Sequence, residues 1–154
     1  MKITFAFLVS LICIQLFACS KNNAIEQTNS SDTTSTTDTT KMKITIGSAV
    51  FTATLNNNVT ANAFKAMLPL TINMGELNGN EKFYYFSSTL PTNASSGGNI
   101  KAGDLMLYGN NCLVLFYEDF NTSYNYTRLG HIDNTAGLVA ALGKESVTVK
   151  FDND

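Results

Sequence analysis

Apolar and polar positions divide the chain into three stretches with different rhythms. Residues 3–16 are an apolar run, interrupted only by Thr4, Ser10 and Gln15 and preceded by the charge of Lys2. Residues 21–41 offer almost nothing to bury, and ten of the thirteen residues in 28–40 are Ser or Thr. From Met42 onward, short bursts of alternating apolar and polar residues are separated by Gly, Asn, Pro and Ser. Alternation with period two predicts strands, because successive side chains of an extended backbone point to opposite faces.

In detail, 43–46 and 50–55 read as a hairpin across Gly47-Ser48. Thr60 is placed to cap a helix running to about Met67, with Ala61, Phe64 and Leu68 at helical spacing. Pro69 stops it, since its ring disfavours helical geometry in the preceding residue. Strands follow at 70–74 and 82–86, both rich in branched and aromatic residues. The segment 87–101, with Pro91 and Ser95-Ser96-Gly97-Gly98, is the longest without a pattern and reads as a loop of functional length. A hairpin over 104–108 and 112–117 turns at Gly109-Asn110-Asn111. A polar and aromatic loop at 118–124 precedes a strand at 126–132. A short helix at 134–142 ends at Gly143, and a last strand covers 146–151. About eight strands and two short helices point to an antiparallel barrel or sandwich. Closing the barrel removes exposed edges, and the helices are placed to plug its ends.

The apolar run ends in Leu16-Phe17-Ala18-Cys19, a small residue followed by a cysteine, which looks like a bacterial lipobox. With a charged start and a short apolar segment, 1–18 reads as a lipoprotein signal peptide. Its likeness implies a lipid on the Cys19 sulfur, and hence export and anchoring to the bacterial cell envelope. The run is too short and polar to span a bilayer, which takes ~20 apolar residues. Residues 19–41 are then a disordered Ser/Thr-rich tether, since such a segment cannot offset its ordering entropy. A flexible chain of that length holds the domain about 25 Å from the membrane.

The domain, 42–154, is long enough for one core. It carries seven Lys or Arg against nine Asp or Glu, with Arg128 the chain's sole arginine. That balance forms no basic patch and excludes nucleic acid as a partner. Once Cys13 leaves and Cys19 is lipidated, Cys112 stands alone, so no internal disulfide forms. Its apolar neighbours make it a buried small hydrophobe rather than a nucleophile. His131 is the only histidine, which leaves no set of metal ligands and no cofactor. It shares the alternation phase of Leu129 and reads as structural. The domain is expected to be a monomer.

The order of elements and several phrases resemble the cyclophilin-like domain of small bacterial proteins. The phrases are Lys43-Ile44-Thr45-Ile46, Phe51-Thr52-Ala53-Thr54-Leu55, Ala66-Met67-Leu68-Pro69-Leu70, Gly103-Asp104-Leu105-Met106-Leu107-Tyr108, Leu113-Val114-Leu115-Phe116-Tyr117 and Arg128-Leu129-Gly130-His131-Ile132. The resemblance implies a closed cyclophilin-like barrel of about eight strands over 42–154, and it raises prolyl isomerisation as an activity. Isomerisation must overcome a barrier of ~18–20 kcal/mol set by the partial double bond. In true cyclophilins an arginine in a Phe-x-Arg-Val phrase assists at the prolyl nitrogen. Here nothing between Pro69 and Pro91 matches that phrase, and the interval holds no arginine. The position of the isomerases' histidine, counted back from Gly130, falls on Tyr126, and the chain has no tryptophan. The expectation is therefore a non-catalytic binding module for a peptide or other small ligand, with no catalytic residues. The alternative is a divergent prolyl isomerase working outside the cytoplasm, and a third class is a structural part of an envelope complex.

Candidate binding residues are the aromatics whose phase sends them outward, Tyr84, Tyr117, Tyr124 and Tyr126, together with Arg128 beside them. Rings offer a groove contact area at low entropic cost. For Arg128 two readings stand. It grips a peptide carbonyl or carboxylate, or it lays its stem on apolar neighbours and pairs with Glu118 or Asp119.

Overall fold

A computed structural model describes residues 41–154. The expected signal peptide, the lipid site at Cys19 and the tether up to Thr40 lie outside the described residues. The first hairpin joins β1 (Lys41–Ile46) to β2 (Ala49–Leu55). Next comes helix α1 (Val59–Lys65). Its cap is Asn58, whose side chain accepts from the Ala61 backbone N–H at 2.8 Å. Thr60, the expected cap, is instead buried in the first turn. Asn ranks above Thr as a cap, and here it also stands first in the chain.

Strands β3 (Leu70–Leu77), β4 (Glu81–Tyr85), β5 (Ser95–Ile100), β6 (Asp104–Tyr108), β7 (Cys112–Phe116) and β8 (Phe120–Ile132) follow. Helix α2 (Leu138–Leu142) and strand β9 (Val147–Asn153) complete the domain. All pairings are antiparallel, in the order β2-β1-β9-β3-β4-β7-β6-β8, and β8 pairs back onto β2 to close a ring of eight. The closed barrel is as expected from the sequence. Closure needs Gly130, opposite Leu55. A Cβ at Gly130 would overlap the Thr54 carbonyl oxygen and crowd the Leu55 backbone.

Alternation sets the interior. Ile44, Met74, Leu105, Leu107, Leu113, Leu115, Val149 and Phe151 fill it, and α1 adds Phe64, packed edge-on to Phe151 with ring centroids 5.7 Å apart. The opposite faces of β6 and β7 are apolar as well. Met106, Cys112, Val114 and Phe116 form a second, smaller core on the outside of the barrel, capped by Ile100 and Tyr126.

Four further expectations change. The segment 87–101 is not structureless, because β5 forms within it and pairs with β8 outside the ring. Of the loop expected at 118–124, residues 120–124 instead open β8, which starts at Phe120. Helix α2 is shorter than 134–142, since Asn134 turns the chain by accepting from the Ala136 N–H at 3.0 Å. Finally, Leu105 pairs with Gly130 but Met106 with Arg128, which leaves Leu129 as an extra residue in β8. Such a bulge reverses the phase beyond it. Leu129 is buried in the interior, while His131 leaves that face with a side chain 55 % exposed.

A cavity under the β5–β8 arm

Because β8 is longer than its partner β6, its first half projects beyond the ring together with β5. This two-stranded arm overhangs the outer faces of β4, β7 and β6, and a cavity of about 650 Å³ lies between them. From β4 come Glu81, Phe83 and Tyr85; from β6, Tyr108; from β7, Cys112 and Val114; and from the arm, Phe120, Thr122, Tyr124 and Tyr126. From Phe120 to Tyr126 the even-numbered residues of β8 share one face, and that face looks into the cavity. Phe83 leans over Gly75, where a Cβ would stand 3.0 Å from its ring. The arm seats equally closely: at Gly97 a Cβ would meet the Thr122 methyl at 2.7 Å.

The rings form a connected set. Tyr108 meets Tyr124 edge-on at 6.2 Å and Tyr126 at 5.5 Å, and Phe116 lies under Tyr126 at 5.5 Å. Tyr124 is the exposed rim, at 64 %, and Tyr126 the buried floor. Burial first, and then the charge of Glu81, push the Tyr126 phenol up to about 12, so it stays neutral. Glu81 itself is buried, and burial followed by the nearby charge of Glu76 raises its carboxyl above the ordinary value. Burial also holds the Cys112 thiol up, against a hydrogen bond from Tyr85, and this free cysteine is buried. Among the described residues no group of three His, Cys, Asp or Glu is placed to hold a metal ion.

Of the candidate residues, Tyr124 and Tyr126 come together in this cavity, and Tyr84, Tyr117 and Arg128 do not line it. Tyr84 is on the other face of β4, packed on the interior core and edge-on to Phe86 at 5.5 Å. Tyr117 is buried at the end of the barrel, where its hydroxyl donates to Glu76 at 2.8 Å and its ring lies 5.6 Å from the Lys82 ammonium. Its edge reaches a second depression, of about 530 Å³, beside α2. The outward phase expected for these two fails because β4 and β7 carry apolar or aromatic residues on both faces.

Arg128 does share the outer face with Tyr126, but it acts as a strut. Its Nη2 donates to the Gly97 carbonyl at 2.9 Å and its Nη1 reaches Asp104 Oδ2 at 3.3 Å, tying β5 to the start of β6. The pairing expected with Glu118 or Asp119 does not form, since Asp119 binds Lys101 at 2.7 Å and receives the Ala102 N–H at 2.8 Å. Glu81, Phe83, Tyr85, Tyr108 and Phe120 line the cavity as well, outside the set expected from the sequence. The β8 phase through Phe120, Thr122, Tyr124 and Tyr126 was the signal that would have found the arm.

A closed antiparallel barrel with an outer-face cavity places the domain in the cyclophilin-like class. The model of the cyclophilin-like family matches residues 44–152, and the chain belongs to that family. The solution structure of a hypothetical protein from Archaeoglobus fulgidus is similar, with a TM-score of 0.53 and 16 % identity over 75 % of this chain and 95 % of that one. That likeness speaks to the fold alone. Among curated proteins none matches the chain.

Proposed function

We propose that the chain is a cell-envelope lipoprotein, anchored through Cys19, whose cyclophilin-like barrel binds a peptide or another small ligand without transforming it. The anchoring part rests on Leu16-Phe17-Ala18-Cys19 and the Ser/Thr-rich stretch behind it. The binding part rests on one observation, the aromatic cavity of about 650 Å³ under the β5–β8 arm. Concave, mostly apolar sites of this size with a few polar groups are where small ligands bind. The absence of catalysis is supported by Arg128, the sole arginine, which is engaged by Gly97 and Asp104 outside the cavity. Tyr126, at the position matching the isomerases' histidine, is a neutral phenol in the cavity floor.

A protease-coupled prolyl isomerase assay on the full-length chain tests the second half. The expected trace is flat for wild type and for Arg128→Ala. Turnover that falls in Arg128→Ala contradicts the reading and makes the chain an isomerase. Incorporation of labelled palmitate in the bacterial cell, lost in Cys19→Ala, tests the anchor. Equal labelling of both chains would contradict it.

A further inference from the structure

The cavity contains one charge and gives it nothing to pair with. Glu81 is nine-tenths buried, at 9 % exposed, and its side chain forms part of the wall. Among the described residues its carboxylate makes no hydrogen bond and no ion pair. No Lys or Arg belongs to the wall. The cations of neighbouring elements are committed elsewhere: Lys82 to Glu76, Gly143 and Glu145, Arg128 to Gly97 and Asp104, and Lys101 to Asp119. A second acceptor in the same wall, Asn80 Oδ1, is also buried without a partner. Buried polar groups are almost always satisfied within a fold, so Asn80 Oδ1, together with a carboxylate that opens onto the same cavity without a partner from the chain, asks what satisfies them.

The surroundings answer by chemistry. Phe83, Tyr85, Tyr108, Tyr124 and Tyr126 ring the space, and aromatic faces carry negative potential that attracts cations. An anionic ligand would meet repulsion from Glu81 and from the ring faces together. A neutral ligand would gain apolar contact but leave the carboxylate unpaired. A cation gains from both, and its charge-assisted hydrogen bonds to carboxylate oxygens are the strong kind. Building on the cavity as the ligand site, we infer that it takes an organic cation, an ammonium or guanidinium group on an apolar stem, with Glu81 as counter-charge and the rings as its cage. Burial and the like charge of Glu76 raise the Glu81 carboxyl, in keeping with a group that has no counter-charge from the chain.

The test is an NMR titration of the full-length chain, following the resonances of Tyr124 and Tyr126. The probes are 2-phenylethylammonium, its neutral counterpart 2-phenylethanol and the anionic 3-phenylpropionate. N-acetyl-lysine and N-acetyl-arginine methylamides, against the norleucine methylamide, distinguish a peptide side chain from a free amine. The ammonium is expected to bind at least about tenfold more tightly than the alcohol, and the carboxylate most weakly. Glu81→Gln should bring the ammonium down to the affinity of the alcohol while leaving the alcohol unchanged. Tyr124→Ala, at the exposed rim where the fold is not at risk, should weaken the ammonium more than the alcohol. Equal affinities in wild type, or a preference that survives Glu81→Gln, overturn the inference but leave the cavity as a binding site. Failure of every probe to shift Tyr124 and Tyr126 overturns both readings.

Discussion

Glu81 and Lys82 are neighbours on β4, both are buried, and their side chains go to opposite faces with opposite fates. Lys82 points to the end of the barrel interior. Its ammonium donates to Glu76 Oε2 at 2.6 Å, the Gly143 carbonyl at 3.0 Å and the Glu145 carbonyl at 2.7 Å, which uses its three protons. Glu76 in turn accepts from the Tyr117 hydroxyl at 2.8 Å and the Gly79 N–H at 2.9 Å. Glu81, one residue earlier, has no such partners and faces an open cavity. A buried charge with every partner supplied by the chain belongs to the fold. A charge with no partner from the chain, facing a cavity lined by rings, is the one our proposal assigns to a ligand.

The largest effect should come from breaking the satisfied side. Lys82→Ala leaves Glu76 without its counter-charge and two carbonyls without their donor, and should cost about 3–5 kcal/mol in denaturant unfolding. Lys82→Met, which keeps the volume, should cost clearly less. A loss as small from Lys82→Ala would mean that the cluster is not structural.

Tyr117→Phe comes next. It removes one hydrogen bond to a charged group and should cost about 1.5 kcal/mol. Acid sharpens the same point. Burial raises the Glu76 carboxyl, but the bonds from Lys82, Tyr117 and Gly79 outweigh it and hold the group below its ordinary value. Its stabilising contribution is therefore present above the unfolded value of 4.5 and lost as pH falls through the folded value. The stability gap between wild type and Tyr117→Phe should narrow on that acid limb. A constant gap at all pH values would contradict the assignment.

Arg128→Ala should have a smaller effect, about 1 kcal/mol, because the strut is partly exposed. The loss should show as faster hydrogen exchange in β5 and the first half of β8, with the barrel unchanged. Uniform acceleration across the barrel would contradict the strut.

The contrast also explains what the sequence could and could not reveal. The ring of eight strands was legible because residues such as those of β1 and β2 alternate cleanly, with one face in the core and one in water. The β6–β7 hairpin was legible from Gly109-Asn110-Asn111. By contrast, β5 was hidden: Ser95-Ser96-Gly97-Gly98-Asn99 has no strand propensity and pairs only because β8 overruns the ring. Tyr84 and Tyr117 were assigned the wrong face because β4 and β7 are apolar on both sides, as strands covered on both faces must be. Glu81 lies one residue before the expected strand at 82–86, so no phase drew attention to it. The bulge at Leu129 likewise has no local signature, so the turn of His131 to solvent appears only in the pairing with β6.

The claim that the two faces of β4 treat charge oppositely is tested most directly by Glu81→Gln, with stability measured from pH 3 to pH 8. Burial and then Glu76 raise the Glu81 carboxyl in the fold, so ionising it destabilises the protein. The penalty is absent below the unfolded value of 4.5, grows as pH rises through the folded value and is complete above it. Glu81→Gln should therefore be more stable than wild type at pH 7, by about 1 kcal/mol or more, with the difference vanishing in acid. A variant less stable than wild type at pH 7 would mean that Glu81 is a satisfied part of the fold and would contradict the account.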